Sequence, residues 1–402
     1  MLKYFKGRSI VYVLRFLAVS PLALIFWIII EITNIFRPVF IVGLSYKGRL
    51  TQYMVPMELH LRNANQLKKK YVMIFVMPAA TPNEAVRTVY RRYSIIIDSH
   101  FPNFIRRTFS ILAELSKSRF TPELPTWNTL WTQKPATELL NDEIEFGENL
   151  KEKLGIPSAA QYVCLSVKDA AYYASITLER GYGQDLRHEA IDSRNIDIKN
   201  YLPAANYLAN LGIYIVRMGS IVSAPLPENR PATIIDYAFD HRSELGDLVL
   251  YRNCLFELNG TAGSYIFAAS ANRPIVQCDE YEIDARSQSN HPPRAIVALS
   301  LIKESTSGRL LSIREIIKLG KAGQHYGSIR KLGLERRNNS EAEILEAVKE
   351  LEDLIRGNLT LSPECKLLQA KFFECYDPPL DSLSQPLLII SPSFLRKYQD
   401  LL

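Results

Sequence analysis

Cysteine is scarce in this chain, with five residues in 402 and no Cys-x-x-Cys pair. Cys164, Cys254, Cys278, Cys365 and Cys375 are scattered, and three of them sit inside apolar, strand-like runs. An odd, dispersed set excludes a disulfide framework and reads as buried thiols in a reducing compartment. Histidine is nearly as scarce: six residues, none at metal-ligand spacing, and no Asp-x-Asp triplet. No metal site and no cofactor is therefore expected. The chain lacks a Gly-Lys-Ser/Thr phosphate loop, a Gly-x-Gly-x-x-Gly fingerprint and a Gly-x-Ser-x-Gly elbow, which removes P-loop enzymes and serine hydrolases. An excess of one charge is missing too, since 48 Lys and Arg stand against 42 Asp and Glu. Basic residues gather only at the start (Lys3, Lys6, Arg8, Arg15) and at Lys68, Lys69 and Lys70. With no long basic stripe, zinc spacing or RNA-binding aromatic pattern, nucleic acid is not a partner. A solvated face or an anionic membrane surface explains these clusters better. There are no repeats and no low-complexity segments.

What is present is a composition of 47% hydrophobic and 22% charged residues, enough chain for two cores plus accessories. Phe16 to Ile30 is uncharged and apolar between Arg15 and Glu31. That is shorter than the roughly 20 residues a spanning helix needs. Residues 1–38 read as an N-terminal membrane-associated segment standing apart from the α/β pattern that follows. A monotopic anchor, a spanning signal anchor, and a cleaved signal or buried helix all fit it. Reduced thiols belong inside the cell, so the body is expected on the cytoplasmic face.

Beyond that segment the pattern is α/β. Continuous apolar strands alternate with amphipathic helices, as in a parallel sheet covered on both faces. PVFIVGL, YVMIFVMP and SIIID are the strands of a first Rossmann-like domain, residues 39–155. Its partner, residues 156–338, contains AQYVCLSVKD, IYIVRMG, TIIDYA, CLFELNG and PIV as strands. The interdomain crossing is expected near Glu148 to Pro157. Residues 339–402 read as a helical tail packing back on the domains, opening with Ser340 as N-cap and Glu343 at the capping-box position. Two such domains would face a ligand cleft.

Candidate site residues sit at strand ends, where ligands of open α/β sheets bind. Lys168 and Asp169 end VCLSVKD, with Arg194 and Asn195 in a nearby loop. A strand-end cation can reach a diphosphate, and the carboxylate can act on a hydroxyl; an exposed charge pair is the alternative. Arg217, followed by Gly219, can grip phosphate, or form a salt bridge to Asp236 or Asp247. Asp236 and Tyr237 end another strand. Asn259, Gly260, Thr261, Ala262, Gly263 and Ser264 form a strand-to-helix loop whose amides could hold a diphosphate, with Gly263 closest to it; an ordinary tight turn is the alternative. On the acceptor side, Lys47, Gly48 and Arg49 lie in a loop, followed by Glu58 and His60 on a helix. Asp169 and Glu58 are the candidate catalytic bases. Asp279, Glu280 and Glu282 read as a solvated acidic turn.

The run RNIDIKNYLPAANYLANLGIYIVRMGS, then IIDYA, then LVLYRNCLFELNGTAGS and the closing IISPSFLRKYQDLL resemble a bacterial glycosyltransferase family found with surface-polysaccharide genes. The resemblance covers Gln161 to Leu402, and Ile41 to Ser99 more faintly. Lys168 stands where that family usually has arginine. The resemblance implies a GT-B-type, metal-independent glycosyltransferase with a nucleotide-sugar donor on the second domain and a membrane-linked glycan or lipid acceptor. Two other readings are a nucleotide-sugar epimerase-like enzyme and a non-catalytic membrane-bound assembly protein with a degenerate site.

Overall fold

The computed structural model describes residues 10–44, 49–67, 69–77, 82–116, 131, 133–179, 196–281, 294–320, 326–376 and 388–402. Two compact units emerge: residues 1–125 with 135–138, and residues 126–134 with 139–402. The boundary lies before the expected crossing, because the helix Asn141–Lys153 belongs to the second unit.

The first unit carries a parallel three-stranded sheet, β1 (Val39–Gly43), β2 (Val72–Val76) and β3 (Ile95–Ile97), in that order. Val39 pairs with Val72, and Ile74 with Ile95. Helix α1 (Ile10–Phe36) precedes β1, and α2 (Leu50–Asn65), α3 (Glu84–Arg91) and α4 (Asn103–Ser116) follow in the expected alternation. Asn83 starts α3 by accepting the Val86 N–H at 2.9 Å, the capping contact its sequence position calls for. Ala23, Phe26, Trp27 and Ile30 of α1 pack with Phe109, Leu112 and Ala113 of α4 against Val39, Ile41, Ile74 and Ile97. The N-terminal segment is thus not separate from the α/β pattern. One side of α1 is part of this unit's core.

The second unit is built on seven parallel strands: β4 (Tyr162–Val167), β5 (Tyr214–Met218), β6 (Ile234–Ile235), β7 (Glu257–Gly260), β8 (Ile275–Glu280), β9 (Ala295–Leu299) and β12 (Ile389–Ile390). Their order across the sheet is β12-β9-β8-β7-β4-β5-β6. Read from the β6 edge, this is the doubly wound Rossmann order, with the chain reversing direction of growth between β4 and β7. Between β9 and β12 a small antiparallel pair, β10 (Leu301–Glu304) and β11 (Leu334–Arg337), is inserted. All five cysteines are free and buried; Cys164 and Cys278 lie on β4 and β8.

The closing residues are more than a helical tail. Ser340 caps a helix over Glu341–Ile355 through a capping box with Glu343, and that helix packs on β8 and β9. Ile389 and Ile390 then pair in parallel with Ile296 and Val297. The tail supplies both a covering helix and an edge strand.

Candidate functional site

In a doubly wound sheet the crevice opens where strand order reverses, outside the carboxyl ends of the two central strands. Here those ends are Val167 of β4 and Gly260 of β7, which lie side by side in register. Lys168 follows β4 directly. Its Nζ donates to the Tyr281 hydroxyl at 3.1 Å and lies 5.1 Å from the Tyr281 ring centroid. The Arg336 guanidinium, from β11, sits 4.3 Å from the same centroid. Two cations from distant parts of the chain therefore meet on one aromatic ring at the switch point. Cation–ring attraction favours both contacts.

Asp169 joins the end of β4 to the loop after β5. One carboxylate oxygen accepts the Ala171 N–H at 2.8 Å; the other accepts the Ser223 N–H and hydroxyl, both at 3.0 Å. Arg217 is buried at the end of β5. Its Nη1 donates to both oxygens of Asp236 at 3.2 Å and to the Ala224 carbonyl at 2.7 Å, while Nη2 lies 3.9 Å from Asp169. Asp236 also accepts the Leu226 N–H at 2.7 Å. Of the two sequence readings of Arg217, the salt bridge to Asp236 is the one present. Gly219, at φ 156°, starts this loop: a Cβ there would fall 2.9 Å from Val222 Cγ1. Tyr237 is buried, with its hydroxyl donating to the Ser243 carbonyl at 2.8 Å. It braces the start of the next helix.

The loop after β7 is a tight turn. Asn259 is fully buried; its Oδ1 accepts the Ala262 N–H at 2.8 Å and its Nδ2 donates to the Ala262 carbonyl at 3.0 Å. The following helix, Tyr265–Ser270, has only six residues, and Ser264 makes no side-chain cap. So short a helix develops little end charge. The left-handed residue of this turn is Thr261, at φ 51°, and Gly263, expected nearest a diphosphate, is exposed. Gly260 is glycine for a packing reason. A Cβ would lie 2.6 Å from the Tyr201 hydroxyl oxygen, and Tyr201 is itself buried, donating to Asp279 at 2.7 Å.

Below the turn sits Glu257, fully buried, accepting from Ser166 and from Asn259 Nδ2 at 2.7 Å. Burial pushes its carboxyl up to about 7 against the two hydrogen bonds that lower it. Since the unfolded carboxyl titrates near 4.5, the folded state holds the extra proton between these values. Stability should therefore fall as pH rises from about 4.5 to about 7, by on the order of 3 kcal/mol. Melting curves across that window should be flatter for Glu257→Gln than for the parent. Parallel curves would show that Glu257 does not titrate there.

Three other expectations change. Asp279 and Glu280 are buried, not a solvated turn. Asp279 accepts the Asn339 N–H at 2.5 Å and donates its own N–H to Asn339 Oδ1 at 2.6 Å, with its carboxyl raised by burial. Glu58 is fully buried in the first unit, where Arg62 Nε at 2.8 Å, the Ala136 N–H at 2.8 Å and the Tyr90 hydroxyl at 2.6 Å occupy its oxygens. No acceptor hydroxyl can reach it. His60 is also buried, and desolvation lowers its imidazole to about 4; it is a neutral core residue. Arg49 is exposed ahead of α2, whereas Lys47, Gly48, Arg194, Asn195 and Glu282 lie outside the described residues. Sequence reading missed Tyr281 and Arg336. The adjacent Arg336–Arg337 pair was their faint signal, but only the fold brings β11 to the end of β4.

No family model matches the sequence, and no curated protein matches it. Among solved structures, the chain is similar to the glycosyl transferase family 9 protein from Veillonella parvula DSM 2008, at 13% identity and TM-score 0.32, over 76% of this chain and 80% of that one. It is also similar to the iron-containing dodecameric glycosyltransferase TibC from enterotoxigenic E. coli H10407, at 10% identity and TM-score 0.36, over 81% and 77%. A structure of heptosyltransferase TibC with ADP-D-β-D-heptose matches at 11% identity and TM-score 0.31, over 65% and 62%. Likenesses this faint assign no chemistry to the chain.

Proposed function

We propose that this protein is a metal-independent glycosyltransferase that moves a sugar from a nucleotide-sugar donor to a membrane-linked glycan or lipid acceptor in surface-polysaccharide synthesis. The observation that carries the reading is the meeting of Lys168 and Arg336 on Tyr281 at the strand-order reversal of a Rossmann sheet. The sequence blocks resembling a glycosyltransferase family support it. Cations at that edge suit a donor diphosphate, whose charge grows as the sugar leaves; fixed positive charge stabilises that growth. Lys168 and Arg336 would hold the leaving nucleoside diphosphate, with Thr261 beside it. Asp169, whose side chain is 15% exposed where Asp236 is 1% exposed, is the base we assign to the acceptor hydroxyl. The membrane helix and reduced cysteines suit a body on the cytoplasmic face.

Thermal shifts against a panel of nucleotide sugars test this directly, since a ligand that binds only the folded state at 100 times its Kd adds about 2.7 kcal/mol. Lys168→Ala and Arg336→Ala should each weaken binding by about ten- to a hundredfold, the loss of one charge-assisted hydrogen bond. If no nucleotide sugar shifts the parent, the transferase reading fails and the assembly-protein alternative takes its place. Interconversion of the donor sugar without any acceptor would instead identify an epimerase.

A further inference from the structure

Over residues 18–36 helix α1 has two apolar sides, and among the described residues one of them packs on the protein. Ala23, Phe26, Trp27 and Ile30 face the core of the first unit, where Phe26 meets Phe109 at a centroid distance of 4.9 Å. The opposite side carries Leu24, Ile25, Ile28, Ile29, Ile32, Ile35 and Phe36, each at least half exposed. At 3.6 residues per turn these seven fall within an arc of about 140°, and none is polar. A helix on the surface of a soluble protein would carry charged residues there. The polar residues of this stretch lie elsewhere: Thr33 donates to the Ile29 carbonyl at 2.7 Å, and Asn34 accepts the Val39 N–H at 2.7 Å, tying the helix end to β1.

Arg37 follows Phe36 at the end of the exposed side, and the Val72 N–H donates to the Pro38 carbonyl at 2.8 Å. β1 and β2 run parallel with Val39 opposite Val72, so the exposed Lys69 and Lys70, just before β2, stand at the same end of the sheet as Arg37, just before β1. An apolar face that meets cations at one end fits the acyl region and anionic headgroups of one leaflet.

We propose that α1 is a monotopic anchor, lying in one leaflet with its outer face among acyl chains and Arg37, Lys69 and Lys70 on anionic lipid headgroups. Ala18–Phe36 is long and apolar enough to cross a bilayer, at mean hydropathy 2.0. Crossing would nevertheless pull Ala23, Phe26 and Ile30 away from the sheet and expose the core they cover. The inference rests on the membrane attachment in the functional reading and is independent of sugar transfer, so vesicle binding and nucleotide-sugar binding are measured separately.

The full-length protein should float with phosphatidylcholine vesicles, and more strongly when phosphatidylglycerol is added. The variant Ile25→Asp/Ile29→Asp/Ile32→Asp should lose flotation while keeping the parent's melting transition. Arg37→Gln/Lys69→Gln/Lys70→Gln should lose about fivefold per residue on anionic vesicles at low salt and nothing on neutral ones. Because the native cysteines are all buried, single cysteines placed at Lys3 and at Lys69 report sidedness to an impermeant maleimide in sealed membrane vesicles. Labelling from the same side supports the monotopic anchor; labelling from opposite sides overturns it in favour of a spanning helix. A parent that ignores vesicles and sediments as a dimer, with the triple aspartate variant monomeric, would also overturn it and give the face to a second copy.

Discussion

Arg217→Ala should destabilise the second unit by about 3–5 kcal/mol, the cost of stranding one member of a buried ion pair. The guanidinium is 5% exposed and the Asp236 side chain 1%. Removing it leaves Asp236 with the Leu226 N–H as a remaining hydrogen-bond donor and frees the Ala224 carbonyl that Arg217 now satisfies. The loop from Gly219 to Leu226 should loosen with it, since both contacts lie there or beside it. Denaturant melts of Arg217→Ala, Asp236→Ala and the double variant measure the effect. The double variant should be less destabilised than the sum of the two singles, because neither charge is then left alone. The opposite pattern, an unchanged melt with at least tenfold weaker nucleotide-sugar binding, would restore Arg217 to the role of phosphate ligand.

Glu58→Ala should have a comparable effect in the first unit. Arg62 beside it is fully buried at its side chain, so the alanine variant removes the carboxylate that this guanidinium, the Tyr90 hydroxyl and the Ala136 N–H all bond. A loss of about 3–5 kcal/mol is expected, read as an early transition of the first unit ahead of that of the second. Glu58→Gln keeps the shape and one acceptor, and should cost less. Were Glu58 the catalytic base, Glu58→Gln would abolish transfer with its melting curve intact. That result would undo the structural assignment.

These two arginine–carboxylate pairs show where sequence reading stops. Arg217 after an apolar strand and Glu58 beside Arg62 on a helix both look like chemistry, because charge in an apolar neighbourhood is expensive unless used. The use can equally be an internal partner, and the partner's position is a tertiary fact. Asp236 is 19 residues from Arg217, and Ala136 is 78 residues from Glu58. The acidic run after Pro274 misleads in the same way: Asp279 is buried because Asn339, 60 residues on, returns to bond it.

Local pattern was sufficient for much else. Period and apolar continuity determine β1 to β4, because a strand buried on both faces is apolar at nearly every position. Asn83, Ser312 and Ser340 mark helix starts, because capping is satisfied within four residues of chain. Lys168 and Asp169 are strand-end residues on sequence alone. The order of the strands is another matter. Nothing local shows that β4 lies between β5 and β7, and that placement decides where the switch point lies. Nor does local pattern show that Ile389 and Ile390 complete the sheet, that Arg336 reaches Tyr281, or which side of α1 is left uncovered. The sequence by itself determined an α/β chain with an apolar first helix and cations at strand ends. Tertiary structure decided which of those charges neutralise one another inside and which converge at an edge, because electrostatic partners are set by distance in space and not by separation along the chain.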